Sequence, residues 1–294
     1  MPEFISKLQY KTYEKGEYSD EKARSFKETI ELINNFPWAR EQYAAVELTG
    51  PSITIKDEND NYLKAGIYYG GKFSLYYLDS KNHYYENQNV GIEVLRNKVA
   101  EFFEGQIDLE NFEKHNFSIG LKSYFITHQF EYRIKFWKVL LLSTFWIIYF
   151  LVFLGFTIVF NLQKPFEPID LFPALFVLFF SWPLTHIFKN YHQKSDQYLK
   201  ISRGNDVFLF GDNQDNIRNY NKNDILEIIH FEDSGTRSPN MFEIFEVVFS
   251  DKTSIKFSNA LISYGTLVAK FSDKWKFPTT TVRQSLFKIM RLLC

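Results

Sequence analysis

Two apolar runs in the middle of the chain separate two regions whose apolar residues alternate with polar ones. Residues 139–160 contain no Asp, Glu, Lys or Arg, and as a helix they span about 33 Å, enough to cross the hydrocarbon core of a bilayer. Residues 171–188 form a shorter run that contains Pro173 and Pro183. The pattern predicts a transmembrane hairpin of two helices, and a pair of buried core helices is the alternative.

Basic residues flank this predicted hairpin on its outer sides. They are Arg133, Lys135, Lys138, Lys189 and Lys194, whereas the connecting segment has a single lysine. Basic residues near helix ends stay on the cytoplasmic side. The N-terminal residues also contain no apolar run of signal-peptide length. We therefore expect a multi-pass membrane protein with both termini in the cytoplasm.

The region before the hairpin, residues 1–116, has the pattern of an α+β domain. Ser19 or Asp20 is a candidate cap for a helix over residues 21–36, whose apolar residues recur at helical spacing. Alternating residues then predict strands at 51–56, 62–69, 72–78 and 84–86. A second amphipathic helix, which starts near Ile92, is predicted to end at Gly105.

Tyrosines occur in pairs on the predicted strands of this domain. Adjacent residues of a strand point to opposite faces of a sheet, so one ring of each pair is expected to lie outside the core or partly outside it. Exposed tyrosines are suited to protein recognition, while packing of the sheet against the two helices is the alternative. The six candidate partner-binding residues are Tyr68, Tyr69, Tyr76, Tyr77, Tyr84 and Tyr85.

The region after the hairpin, residues 195–294, is predicted to be mostly β. Six short strands are expected at 198–202, 207–210, 217–221, 226–232, 242–250 and 254–257. A helix from about Asn259 follows them, as in a pleckstrin-homology-like barrel with a closing helix. Residues 117–138 combine a basic juxtamembrane segment with the alternating stretch FSIGLKSYF, a candidate strand of the same barrel.

Four basic residues on the early strands of this barrel are candidates for binding lipid headgroups: Lys200, Arg203, Arg218 and Lys222. A solvated surface is the alternative. The apolar and basic residues at 281–294 fit a helix on the membrane surface or a last helix of the domain, and the pattern does not distinguish the two.

Composition and motifs favour a binding protein over an enzyme. The net charge of −1 does not indicate a nucleic-acid partner. The single cysteine, Cys294, excludes a disulfide within the chain and a thiolate metal cluster. Residues 57–61 begin like a calcium loop, but Tyr62 occupies the position of the required glycine. No catalytic motif or cofactor fingerprint is recognisable, so neither a metal nor a cofactor is expected.

The order of elements from Phe117 to Phe271 resembles bacterial membrane proteins of the YcxB-like type. The segment YNKNDILEIIHFED, with Asp224 and Ile225, resembles a characteristic stretch of that family, and FEVVFSDKTSIKF resembles the strand pair that follows. The resemblance implies a pleckstrin-homology-like domain after a two-helix hairpin. It implies a location in the bacterial inner membrane but no reaction.

The N-terminal block, from NNFPW at Asn34 to Gly105, resembles immunity domains that accompany bacterial polymorphic toxins. This resemblance implies a membrane-anchored protein that protects its cell by occluding a cognate toxin. The alternative is a membrane-anchored sensor or scaffold whose C-terminal barrel binds lipid or protein. The expected partners are the bilayer and a protein toxin, and the oligomeric state is left open.

Overall fold

The computed structural model describes residues 2–42, 46–115, 120–163, 171–233, 243–271, 278–284 and 288. The chain divides into two compact units. The first unit comprises residues 1–129 together with Ser202–Asn205. The second comprises Phe130–Ile201 and Asp206–Cys294, so the boundary falls after the predicted limit at residue 116.

The first unit is a seven-stranded antiparallel sheet with two helices. Its elements are β1 (Phe4–Gln9), β2 (Ser19–Arg24), α1 (Phe26–Asn35), β3 (Ser52–Lys56), β4 (Tyr62–Ile67), β5 (Phe73–Leu78), β6 (Tyr84–Val90), α2 (Ile92–Phe103) and β7 (Glu113–His115). The strands follow the order β2-β1-β3-β4-β5-β6-β7 in the sheet. The predicted meander β3–β6 and the second helix are therefore present.

The first predicted helix begins too early in the sequence. Residues 19–24 form β2, which pairs with β1, and α1 starts only after Ser25. The Ser25 hydroxyl accepts a hydrogen bond from the Glu28 N–H, and the Glu28 carboxylate accepts one from the Ser25 N–H. This reciprocal capping box marks the true helix start. The prediction of Ser19 or Asp20 as the cap was wrong because pairing with β1 outweighs the helical propensity of residues 21–24.

Both faces of the sheet are covered. On one face α1 and α2 pack with Ile33, Leu95 and Val99 against Leu63 and Leu75. On the other face Phe125 is fully buried in a cluster formed with four residues of the sheet, Tyr62, Tyr76, Leu78 and Tyr84. The segment around Phe125 therefore covers the second face of the sheet, as the two helices cover the first.

Two buried lysines also join this segment to the sheet. The Lys64 ammonium lies within 3.3 Å of Gln9 Oε1, the Leu48 and Tyr124 carbonyl oxygens and the Tyr18 hydroxyl. The Lys7 ammonium donates to the Thr127 hydroxyl at 2.9 Å. Burial lowers the pKa of Lys64 well below its ordinary value and lowers the pKa of Lys7 to about 8. These hydrogen bonds offset part of the cost of burying two ammonium groups.

In its described residues the second unit contains two four-stranded sheets and three helices. Its elements are β8 (Glu131–Arg133), α3 (Phe136–Gln163), α4 (Leu171–Lys194), β9 (Tyr198–Lys200), β10 (Val207–Gly211), β11 (Arg218–Asn221), β12 (Ile225–Asp233), β13 (Ile244–Phe249), β14 (Ser254–Ser258), α5 (Tyr264–Ala269) and β15 (Thr279–Gln284). The sheet orders are β11-β10-β9-β8 and β14-β13-β12-β15.

The helices α3 and α4 are inserted between two paired strands. β8 precedes them, β9 follows them, and the two strands pair antiparallel with Tyr132 opposite Leu199. A strand of the second unit does precede the helix pair, but it is Glu131–Arg133 and not the predicted stretch FSIGLKSYF. Leu121–Tyr124 form a 3₁₀ turn, while Phe117 and Ile119 lie outside the described residues. The inserted helices are thus part of the second unit.

The two inserted helices run antiparallel. The ring of Phe136, at the start of α3, is 5.6 Å from that of Tyr191 near the end of α4, and the Phe153 and Phe176 rings stack at 4.6 Å. Val139 and Ile187 bury their side chains with Ala260 of the barrel domain. The base of the helix pair is therefore fixed against the domain into which it is inserted.

One helix among the described residues, Phe136–Val159, is long and apolar enough to cross a membrane by length and composition. Its side chains are mostly exposed, as expected for a lipid-facing surface. The apolar run of α4 is shorter and is followed by Lys189, Asn190 and His192 within the same helix. The helical pair is present, whereas a membrane crossing by both helices stays a prediction.

The strand β15 was not predicted. Residues Thr279–Gln284 pair in parallel with β12, although a helix was one interpretation of the stretch from 281 onwards. Leu286, Ile289, Met290 and Leu293, on which that interpretation depended, lie outside the described residues. The closing helix is also shorter than predicted, since α5 begins at Tyr264 behind the cap Ser263.

The lowered pKa of the buried Lys7 should make the stability of the first unit depend on pH. Its pKa is about 8 when folded against an ordinary value of 10.5, so between these values the unfolded chain binds more protons. The free energy of unfolding therefore rises with pH. We expect Lys7 to contribute about 1.5 kcal/mol to this rise between pH 8 and 9.5, since one pKa unit corresponds to about 1.36 kcal/mol. Pulse proteolysis in urea at both pH values measures it.

The free energy of unfolding of the Lys7→Met variant is expected to rise by about 1.5 kcal/mol less than that of wild type over the same pH interval. Lys22, whose side chain is 64% exposed, supplies the control: Lys22→Met should keep the wild-type slope. Equal slopes for wild type and Lys7→Met would show that Lys7 does not titrate in this range.

Candidate functional site

A polar groove of about 450 Å³ opens in the second unit between the outer strands of its two sheets. β11 ends one sheet and β14 ends the other, and no ladder joins these two strands in the described part of the barrel. The groove is lined by Lys194, Phe210, Gly211, Asp212, Asn216, Arg218, Tyr220, Ser254, Ile255 and Lys256. The last residue of α4 therefore borders the same groove as both sheet edges.

The turn between β10 and β11 shapes one end of the groove. The Asn213 side-chain oxygen accepts hydrogen bonds from the N–H groups of Asp215 and Asn216 at 3.1 and 2.9 Å, which is a typical Asx arrangement. At Gly211 a Cβ atom would lie 2.8 Å from the Asn213 carbonyl oxygen and 2.9 Å from Ile217. Only glycine allows this close approach, so Gly211 sets the path of the turn.

The charged side chains of the groove are three cations and one carboxylate. Lys194 Nζ lies 3.3 Å from Asp212 Oδ1, which also accepts a hydrogen bond from Gln197 at 2.9 Å. Lys256 Nζ lies 3.4 Å from Glu246 Oε2. Arg218 is exposed on β11. The lining itself, with Lys194, Arg218 and Lys256 against Asp212, has a net charge of +2, and Glu246 beside Lys256 reduces it to +1. The groove is therefore suited to an anionic ligand.

An aromatic wall supports the groove from inside the barrel. The Tyr220 ring stacks on Phe249 at 5.0 Å and on Phe208 at 5.6 Å. Rings packed in this way lose little rotamer freedom on binding, and they hold β11 against the core. Arg218 on the same strand therefore projects from a rigid support.

The predicted headgroup residues are not gathered in this groove, and only Arg218 lines it. Lys200 lies on β9, with its Nζ 3.3 Å from Glu131 Oε1 across the strand pair. Arg203 belongs to the first unit, where its N–H donates to Glu14 Oε1 at 2.9 Å. Lys222 is 1% exposed and donates to the Lys270 carbonyl oxygen. The prediction for Lys222 was wrong because that side chain points into the domain.

The predicted tyrosine surface is also only partly exposed. Tyr76, Tyr77 and Tyr84 are buried, so their assignment to a partner-binding surface was wrong. Tyr77 packs on the face that α1 and α2 cover, while Tyr76 and Tyr84 pack with Phe125 on the other face. The expectation of one outward ring per pair failed for Tyr76 and Tyr77, because both faces of the sheet are covered there.

Tyr69 is the exposed member of the remaining tyrosines, at 56%, and Tyr68 and Tyr85 are half-buried. Tyr68 borders an open apolar pocket of about 210 Å³, which is also lined by Trp38, Ile67 and Phe73. The Trp38 indole N–H donates to the Ile33 carbonyl oxygen at 2.7 Å, which fixes the ring. This pocket and the adjacent Tyr69 form a second possible binding surface, on the first unit.

Two groove residues were missed in the sequence. Lys194 was assigned to the basic flank of the hairpin, and Lys256 was treated as one polar residue of an alternating strand. The alternation in SIKFS does separate Ser254, Lys256 and Ser258 from Ile255 and Phe257. The sequence does not show that α4 ends beside β14, because this proximity results from the insertion of the helix pair into the barrel. Among the described residues, no group of three or more His, Cys, Asp or Glu side chains is placed to hold a metal ion.

Comparison with known protein families supports the barrel assignment. A family model described as a PH domain matches residues 131–270, which include β8, the inserted helix pair and the strands up to α5. No curated protein and no solved structure matches the chain. The chain therefore contains a PH-like domain, and the PH-like part of the predicted resemblance is confirmed. The YcxB-like membrane arrangement and the immunity domain remain predictions.

Proposed function

We propose that this protein is a membrane-anchored binding protein whose PH-like domain binds the anionic phosphate headgroup of a lipid in the groove between β11 and β14. The observation that carries the proposal is the position of Lys194. It is the last residue of an inserted helix and at the same time lines the groove.

The helix geometry supports a headgroup-level position of the groove. Phe188 is the last residue of the apolar run of α4, and Lys194 follows it by about 9 Å of helix axis at 1.5 Å per residue. The polar layer on each side of a bilayer is about 5–8 Å thick. If α4 crosses the bilayer as predicted, the backbone of Lys194 lies just beyond this layer, and its long side chain reaches back into it. The buried contact of Ile187 with Ala260 holds the domain at that depth.

The charge of the groove favours a phosphate group over a neutral headgroup. Arg218 offers a planar pair of donors that matches phosphate oxygens, and Lys194 and Lys256 add two point charges. Asp212 already pairs with Lys194 and Glu246 with Lys256, so an entering phosphate has to compete with both carboxylates.

The proposal predicts that Arg218→Ala and Lys256→Ala each weaken binding of dihexanoyl phosphatidic acid by about tenfold or more, because a hydrogen bond to a charged group contributes about 1.5–3 kcal/mol. The measurement is a titration of the full chain in neutral detergent. The full chain is required because β8 belongs to the domain, and a fragment that starts at residue 195 lacks this strand.

Lys200→Ala is the matched control, since Lys200 is also a basic residue of the barrel but lies outside the groove. It should bind the lipid like wild type. Equal affinities of Arg218→Ala, Lys256→Ala and Lys200→Ala, or no binding by wild type, would contradict the proposal.

A second candidate function, protection against a cognate toxin, is favoured by the apolar pocket on the first unit. An open pocket bordered by fixed aromatic rings, beside an exposed tyrosine, fits the usual anchor of a protein interface. Here the toxin would insert an apolar side chain beside Tyr69. The bilayer anchor would then keep the inhibitor at the inner membrane.

This second candidate predicts that the neighbouring gene encodes a product that inhibits growth and that co-expression of this protein restores it. Tyr69→Ala should reduce the protection. Val94, an exposed residue of α2, provides the control, and Val94→Ala should protect fully. A harmless neighbouring product, or full protection by Tyr69→Ala, would count against this function.

A further inference from the structure

The strand β15 occupies a sheet edge that the PH-like domain itself leaves open. The family match ends at residue 270, and without β15 the second sheet has the order β14-β13-β12. β12 would then be an edge strand nine residues long, Ile225–Asp233. Such an edge presents a row of unpaired N–H and C=O groups that can pair with another extended segment.

The contact between β15 and β12 is mostly main-chain. The two strands are in parallel register from Ile228 opposite Thr279 to Asp233 opposite Gln284. Four of the six side chains of β15 are exposed and the other two are half-buried. Little apolar surface is therefore buried with the strand, and segments of this kind open at low free energy.

One side-chain contact gives the edge a chemical preference. Arg283 Nε donates to Glu232 Oε1 at 2.7 Å, with the Glu232 side chain 14% exposed. The Arg283 side chain is itself 76% exposed, and an exposed pair contributes little to stability. It does favour a basic residue at this position of the bound strand.

We propose that the edge of β12 is a docking site for an extended segment of a partner protein and that β15 is the internal segment which this partner displaces. The partner segment resembles β15 in chemistry: β-branched residues in extended conformation and a basic residue opposite Glu232. Main-chain pairing provides the binding and the basic residue provides the selectivity. Because β15 is tethered to the domain, it competes with the partner at a high effective concentration.

The direction of the hydrogen bonds in the parallel ladder gives a sharp test. The Ile228 N–H donates to the Pro278 carbonyl oxygen at 3.1 Å. In a parallel ladder the main-chain groups of alternate residues face the same neighbour. The N–H of Val282 therefore faces β12, and that of Thr281 faces away. Proline is tolerated in an edge strand only where the N–H faces away.

The experiment measures binding of the labelled peptide PTTTVRQ, residues 278–284, to the full chain in detergent. Val282→Pro removes a ladder hydrogen bond and releases β15, so the peptide should bind this variant at least tenfold more tightly than wild type. Thr281→Pro is the matched control and should bind the peptide like wild type. Equal peptide affinity for wild type and a folded Val282→Pro chain would overturn the proposal. Dimers of Val282→Pro that bind no peptide would also overturn it, because the edge would then belong to a second copy.

A charge exchange tests the same site without proline. Wild type should prefer PTTTVRQ, whereas Glu232→Arg should bind PTTTVEQ at least tenfold more tightly than PTTTVRQ. An unchanged preference in Glu232→Arg would overturn the assignment of the docking edge, even if Val282→Pro does not fold.

Discussion

The antiparallel pairing of β8 with β9 is the constraint on which the second unit depends. These strands flank the inserted helices, and their register places Glu131, Tyr132 and Arg133 opposite Lys200, Leu199 and Tyr198. Because β8 and β9 are paired, the two ends of the segment inserted between them have to lie close together. Two helices satisfy this requirement as an antiparallel hairpin, and the start of α3 does lie beside the end of α4.

The position of the groove follows from the same constraint. Because α4 runs directly into β9, its last residues meet the end of the barrel where β10 turns into β11. Gln197 shows this connection, since its side chain donates both to Asp212 and to the Lys256 carbonyl oxygen. The buried cluster of Val139, Ile187 and Ala260 removes the freedom that a linker would give. In the proposed function, this fixed groove would meet the lipid without further ordering cost, which is the advantage of preorganisation.

Local patterns predicted most of the fold. Alternation and turn residues placed β3 to β6 and β9 to β14 within a few residues, and helical spacing placed α2. The failures occurred where a distant partner decides the structure. Residues 19–24 have helical propensity but pair with β1, and residues 279–284 form a strand only because β12 offers an edge.

The candidate site was less predictable than the fold. Of the four predicted basic residues only Arg218 lines the groove, because alternation gives the face of a strand but not which strands become edges. Lys222 is near Arg218 in sequence, yet a short 3₁₀ turn directs it inward. The prediction of exposed tyrosines was wrong for a related reason. Alternation correctly placed Tyr76 and Tyr77 on opposite faces of the sheet, but the segment that covers the second face, around Phe125, is some fifty residues away in the sequence. Lys64 and Lys7 look like ordinary exposed strand residues until that cover is known.

The proposed function requires that the groove of the PH-like domain lie at the level of the lipid headgroups. A spin label at Asn216→Cys, in the Cys294→Ser background and with the full chain in bilayers, tests it most directly, since Asn216 is an exposed residue of the groove. Relaxation of the label by a nickel chelate attached to lipid headgroups should be strong, whereas a label at Leu151→Cys, an exposed residue near the middle of α3, should respond mainly to oxygen dissolved in the hydrocarbon core. A label at position 216 that responds to soluble nickel chelate but not to the lipid-attached chelate would contradict the account.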